Sequence, residues 1–236
     1  MLIKTPFGKF ADEKLQALNY NYINEFTECW VPDNEGAVNL AGRLSHPKTK
    51  PSVPVKYIGP LSRFQNSDGE EKHLLILLSG PEPQRSLLEE LLTGQLRDYQ
   101  KPVVLVRGLP GGSGTPDLST NISVFDHLPA EELNKKIAES FMIISRCGYS
   151  TVMDLAAVKK KSILIPTPAQ TEQEYLAKHL MKNNFALCIE QKKFKLKAAL
   201  DLASSFHYKM ENFSLENNVD KAVKEFLLQL KSSVKS

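Results

Sequence analysis

The residues best able to do chemistry stand in two short turns. One holds Arg146, Cys147, Gly148, Tyr149, Ser150 and Thr151 with Asp154 just behind it, and the other runs over residues 166–173. In the first, the backbone N–H groups of Gly148, Tyr149, Ser150 and Thr151 would crown a helix N-terminus, where a phosphate finds both donors and a favourable dipole. Asp154, one turn in, offers a carboxylate that can accept hydrogen bonds from two neighbouring ribose hydroxyls. Arg146 is grouped with them. In the second turn, Glu172 and Gln173 open another helix, and their acceptors and donors suit the hydroxyls of a sugar. A diphosphate strung between a ribose and a hexose fits that layout. Each feature alone has a plainer explanation, because a Gly turn before a helix is common and both Asp154 and Glu172 complement a helix dipole. Their joint spacing favours the ligand.

Such turns need a scaffold, and the flanking pattern supplies one. Residues 141–144 form a short apolar run expected to be a fully buried strand. Ser145 to Gly148 then turn the chain, and Ser150 and Thr151 are good helix-start residues. Val152, Leu155, Ala156 and Val158 share a helical face. Residues 162–165 give a second buried strand, Pro166 and Pro168 stop it, and an amphipathic helix begins near Thr171. The unit is a βαβα segment of a parallel sheet, in which ligands bind outside the carboxyl ends of the strands.

The same alternation runs through the rest of the chain. Strands are expected at 55–58, 73–78, 103–106, 122–125 and 186–189, with helices at 130–139 and 196–204. Pro83 suits the first turn of a further helix with Leu87, Leu88, Leu91 and Leu92 facing inward. Arg85 in that turn can neutralise a phosphate bidentately, or serve as a surface partner of Glu82. The glycine-rich stretch 107–115 lacks the Lys-Ser/Thr of a P-loop and the spacing of a dinucleotide fingerprint, and it is expected to be a flexible loop. Lys159 to Lys161 are expected to be a solvated helix end. Before residue 55 the pattern is thin: an ambiguous 14–22, a strand at 26–31, a helix-like 36–40, then a Pro- and Lys-rich linker. One strand and two small helices cannot bury a core of their own. The chain ends in an amphipathic helix presenting Ala222, Val223, Phe226, Leu227 and Leu230, expected to pack on the first fifty or so residues or to leave an apolar stripe bare.

The wording SRCGYSTVMDL followed by IPTPAQTEQEYLAKHL resembles the donor-binding, C-terminal half of GT-B glycosyltransferases, and in particular the family 28 enzymes that pass N-acetylglucosamine to a lipid-linked acceptor. Gly148, Thr151, Pro166, Gln173 and Tyr175 match that pattern. Asp154 stands where the family carries Glu, and Glu174 replaces a second Gln. The resemblance implies an α/β fold, a Rossmann-like parallel sheet with flanking helices. It divides the chain into a remnant of the acceptor domain with its linker (1–50), a nucleotide-sugar domain (51–215) and a crossover helix (216–236). It also implies that Ser79 and Gly80 approach the diphosphate or the acceptor, and that the corner at His127 and Leu128 receives the base, usually uracil. The expected activity is transfer of a hexosyl or N-acetylhexosaminyl group from a UDP-linked sugar to an unidentified acceptor, with no cofactor and no metal. The general base is unassigned, since the family draws it from the other lobe. Two alternatives stand beside this: a non-catalytic donor-binding subunit of a split transferase, whose partner chain brings the acceptor lobe, and a nucleotide-sugar 2-epimerase-like protein.

Composition bounds the setting. In 236 residues, 42% hydrophobic and 24% charged, a net charge of +3 gives no reason to expect nucleic acid as a partner. Three widely spaced cysteines in no metal pattern are expected to be reduced thiols of a cytoplasmic protein. The N-terminus lacks a signal-peptide core, and no run approaches the roughly 20 apolar residues of a membrane span. Contact with the inner face of the membrane is expected only from the resemblance.

Overall fold

The structure is a computed structural model and describes residues 6–112, 118–213 and 218–233. The chain divides into two compact units, residues 62–212 and residues 1–61 with 213–236. In the smaller unit, α1 (Pro6–Ile23) covers the stretch left ambiguous, and β1 (Cys29–Val31) pairs in parallel with β2 (Val55–Tyr57). The expected strand at 26–31 is therefore shorter, and Phe26 is exposed. Residues 36–40 are not helical. Fully buried Asp33 instead accepts from the N–H groups of Asn34, Leu40 and Ala41, each at 2.9 Å, and from Ser45 Oγ at 2.6 Å. A carboxylate that satisfies that many donors outcompetes a helix ladder. The strand expected to open the donor domain thus belongs to this first unit.

In the larger unit, strands and helices alternate. They are β3 (His73–Leu77), α2 (Gln84–Leu96), β4 (Val103–Val106), β5 (Ile122–Phe125), α3 (Ala130–Ala138), β6 (Ser140–Arg146), α4 (Tyr149–Val158), β7 (Ser162–Ile165), α5 (Thr171–Lys182), β8 (Leu187–Cys188) and α6 (Leu196–Ser205). All the pairings are parallel, in the order β5-β4-β3-β6-β7-β8. Alternate strand residues Leu74, Ile76, Ile144 and Ile163 form one core with Leu88 and Leu92 of α2 and Ala199 of α6. Leu75, Ile143 and Leu164, between them in sequence, are also fully buried. Strands covered on both faces read as unbroken apolar runs, which is why they were legible.

Four local details differ from expectation. Leu87 is exposed, and α2 buries Arg85 and Glu89 beside its leucines. Strand β6 continues through Arg146, which pairs with Ile165, so Ser145 and Arg146 are strand and not turn. Helix α4 takes Gly148 as its N-cap, placing Ser150 and Thr151 inside the first turn. Lys160 is not a solvated helix end: its Nζ donates to Ala138 O at 2.8 Å and Ser140 O at 3.0 Å, closing the start of β6.

The last helix, α7 (Val219–Ser233), belongs to the smaller unit. Phe226 meets the Trp30 ring edge-on at 6.1 Å, Glu225 lies 3.4 Å from Lys56 Nζ, and Asn218 N–H donates to Ile58 O at 3.0 Å. Leu227 and Leu228 remain exposed, so both expected outcomes coexist on one helix. Among the described residues, no helix is long and apolar enough to cross a membrane.

Candidate functional site

The strand order reverses between β3 and β6, so the chain leaves their carboxyl ends in opposite directions and opens a crevice there. A cavity of about 220 Å³ lies at this position. Five of the sequence-predicted residues line it: Ser79 after β3, His127 and Leu128 after β5, and Thr151 and Asp154 on α4. No side chain caps α4, and its backbone ladder begins with Val152 N–H to Gly148 O at 3.0 Å. The amides of the first turn therefore point out of the helix end. Gly148, Tyr149 and Ser150 form that turn, where the dipole favours an anion.

Asp154 is half-buried. Its Oδ1 accepts from Ser62 Oγ at 2.7 Å, and Ser62 Oγ is itself held by Phe64 N–H at 3.0 Å. Burial raises the Asp154 carboxyl above its ordinary range, against the lowering effects of the Ser62 hydrogen bond and the Arg63 charge. Arg63 lies over the Phe64 ring at 4.9 Å, and both residues line the cavity. Gly108 lines it too, at φ +69°, where a Cβ would collide with the Leu78 carbonyl. The glycine-rich stretch thus brings one residue to the cavity, while its residues 113–115 lie outside the described ones. Sequence reasoning missed Ser62, Arg63, Phe64 and Gly108. The first three stand in the YIGPLSRF stretch, where only their position ahead of β3 drew notice.

The other candidates are placed elsewhere. Gly80 is exposed in the loop after β3. Arg85 does not reach this cavity: its guanidinium is consumed by Glu82 at 2.6 Å, Glu89 at 2.6 Å, Ser86 Oγ at 2.6 Å and Arg107 O at 3.3 Å. Glu89 also accepts from Arg107 Nε at 2.5 Å, and Arg107 reaches Asp126 at 2.7 Å. Burial alone would lower Arg85, but Glu89 and Glu82 hold it above the usual arginine value, and Glu89 does the same for Arg107. Arg146 is 2% exposed and donates to Gln84 O at 2.5 Å and Gln191 Oε1 at 2.7 Å. Burial alone pushes its guanidinium down to about 10. It ties the start of α2 to the turn after β8, so its place is beneath the carboxyl-end loops.

At α5, Glu172 is exposed in the first turn. The Gln173 amide is committed to its own loop, accepting from Thr167 N–H at 3.0 Å and donating to Gln170 Oε1 at 2.6 Å. Glu174 Oε1 accepts from Ala169 N–H at 3.3 Å. Glu174 lines a second cavity, of about 480 Å³, between α5 and the end of β8.

Comparison with known proteins agrees with this arrangement. The glycosyltransferase family 28 C-terminal domain matches residues 112–229, half of the chain. An N-acetylglucosamine transferase of Buchnera aphidicola, named for moving the sugar from UDP-N-acetylglucosamine to N-acetylmuramyl-(pentapeptide) pyrophosphoryl-undecaprenol, is 25% identical over 215 residues, covering 86% of this chain and 58% of its own length. A transferase of the same name from Rhodopseudomonas palustris is 26% identical over 122 residues, covering 48% of this chain and 33% of its own. The chain thus spans between a third and three-fifths of these relatives. Among solved structures, the spinosyn forosaminyltransferase SpnP superposes with a TM-score of 0.53 at 13% identity, over 86% of this chain and 55% of that one. The kitacinnamycin glycosyltransferase does so with a TM-score of 0.51 at 19% identity, over 64% and 42%. At such identities the likeness concerns the fold alone.

Proposed function

We propose, since the chain belongs to glycosyltransferase family 28 as a GT-B C-terminal half, that it carries the donor site of a transferase acting on a UDP-linked hexose or N-acetylhexosamine. The observation that carries this is the gathering of Thr151 and Asp154, at the uncapped start of α4, with the loops after β3, β4 and β5 in one cavity. The base would sit between the His127–Leu128 corner and Phe64. Asp154 would accept from the ribose hydroxyls, and the α4 amides would take the diphosphate.

In transfer, the bond between the anomeric carbon and the diphosphate oxygen breaks as the acceptor oxygen bonds to that carbon, and negative charge builds on the departing phosphate. Preorganised amides aimed at that charge stabilise it more in the transition state than in the bound donor. On this reading no resident metal is required. The relatives' names support a UDP-linked donor, while the acceptor and its general base belong to parts of the enzyme beyond this site.

Backbone amide NMR during titration with UDP tests the assignment. The largest shifts are expected at Leu128, Ser150, Thr151 and Asp154, with or without a chelator. Shifts centred instead on the cavity formed by Glu90, Thr93 and Arg97 would move the ligand to another face and end this reading.

A further inference from the structure

The second cavity continues the first along the carboxyl edge of the sheet. The donor cavity touches the ends of β3 and β4, α4 starts after β6, and the second cavity opens at β7 and β8. From β4 to β7 is three strand spacings, about 14 Å, which matches the reach of an extended nucleotide sugar from base to hexose. With base and ribose in the donor cavity and the diphosphate across α4, the sugar arrives at the turn formed by residues 166–170. The cavity there has an apolar floor that includes Pro166, Ala177, Met181 and Ile189, fit for the C–H face of a pyranose.

Two side chains at this turn have the chemistry to read sugar substituents, and the structure separates them. Both ends of the Gln173 amide are already bonded within the loop. Glu174 lines the cavity, and its one hydrogen bond to the loop, from Ala169 N–H to Oε1, anchors it at the end of the groove nearest β7. That leaves Oε2 for a ligand. A carboxylate accepts hydrogen bonds and donates none. It pairs with a hydroxyl or an ammonium, but it repels a carbonyl oxygen set against it.

We infer that Glu174 is the sugar-specificity residue of this site, and that it selects a donor hexose presenting hydrogen-bond donors over one presenting an acetamido carbonyl. The inference rests on the donor-site reading and narrows it: of the two sugar classes open above, the unacetylated one is favoured. A buried polar group left facing the wrong partner discriminates strongly, so a preference of at least tenfold is expected, on the order of 1–2 kcal/mol.

The test uses calorimetric titration of the full chain with UDP, UDP-glucose and UDP-N-acetylglucosamine, for the wild type and for Glu174→Gln. The wild type is expected to bind UDP-glucose about tenfold more tightly than UDP-N-acetylglucosamine. Glu174→Gln restores a donor at that point and should erase or invert the preference, leaving UDP affinity unchanged. Glu174→Asp, which keeps the acceptor, should keep the preference. A wild type that prefers the acetamido sugar, or a preference untouched in Glu174→Gln, overturns the assignment of Glu174 while UDP binding stands. If the wild type binds no UDP at all, the donor reading itself fails and this one falls with it.

Discussion

Replacing Glu89 by alanine is expected to cost about 3–5 kcal/mol of folding stability, one of the largest effects of any single change in the larger unit. Its carboxylate is the hub between two guanidiniums, Arg85 on α2 and Arg107 after β4, and it is mostly buried. Removing it leaves two buried cations with only the partly exposed Glu82 and Asp126 to answer them. A surface ion pair would be worth a fraction of this, because water and salt screen it. The melting temperature should fall by roughly 10 °C. A second effect follows from position. Arg107 precedes Gly108, and Asp126 precedes His127, so the hub fixes two loops that line the donor cavity. Nucleotide binding should weaken even where the variant remains folded. A drop of less than about 2 °C, read by circular dichroism, would mean that the cluster behaves as a solvated network.

The second large effect separates stability from binding. Asp154→Asn is expected to weaken UDP binding by about 1–3 kcal/mol, roughly 5- to 150-fold, while raising the melting temperature of the unliganded protein. Burial raises the carboxyl's pKa in the folded chain above its unfolded value. A group shifted that way contributes stability below its unfolded pKa and loses it as pH rises through the folded one. At neutral pH the ionised carboxylate is therefore a cost to the empty fold, and asparagine removes it while retaining an acceptor for Ser62. A ribose that donates to the carboxylate needs it ionised, so wild-type affinity should decline on acidification at a pH above the ordinary aspartate range. An asparagine variant that loses both stability and binding would make Asp154 a structural residue.

How far the fold was legible follows from what its elements depend on. Runs such as Leu74–Leu75–Ile76 and Ile143–Ile144 announce strands covered on both faces, and the Gly148 turn announces the helix that follows. The failures share a cause. Leu87 looked inward because leucines at helical spacing carry no direction, whereas the buried place belongs to Glu89, whose partner Arg107 lies 18 residues away. Asp33 holds its loop through contacts that composition does not encode. In the candidate site, Thr151 and Asp154 were visible because one helix start sets their spacing. Ser62 was not, since it meets Asp154 across 92 residues of sequence. Arg85 and Gln173 have the right chemistry for a ligand, yet neighbouring side chains and amides have already taken their hydrogen-bonding capacity. Availability is a tertiary property.

The measurement that bears most directly on the donor site is calorimetric titration of the chain with uridine, UMP and UDP, in the presence of a chelator. The account predicts saturable binding that strengthens from uridine to UDP, because the base and ribose occupy the cavity at Asp154 and each phosphate meets the amides at the start of α4. A folded chain that gives no heat with UDP, or binds uridine as tightly as UDP, would contradict it.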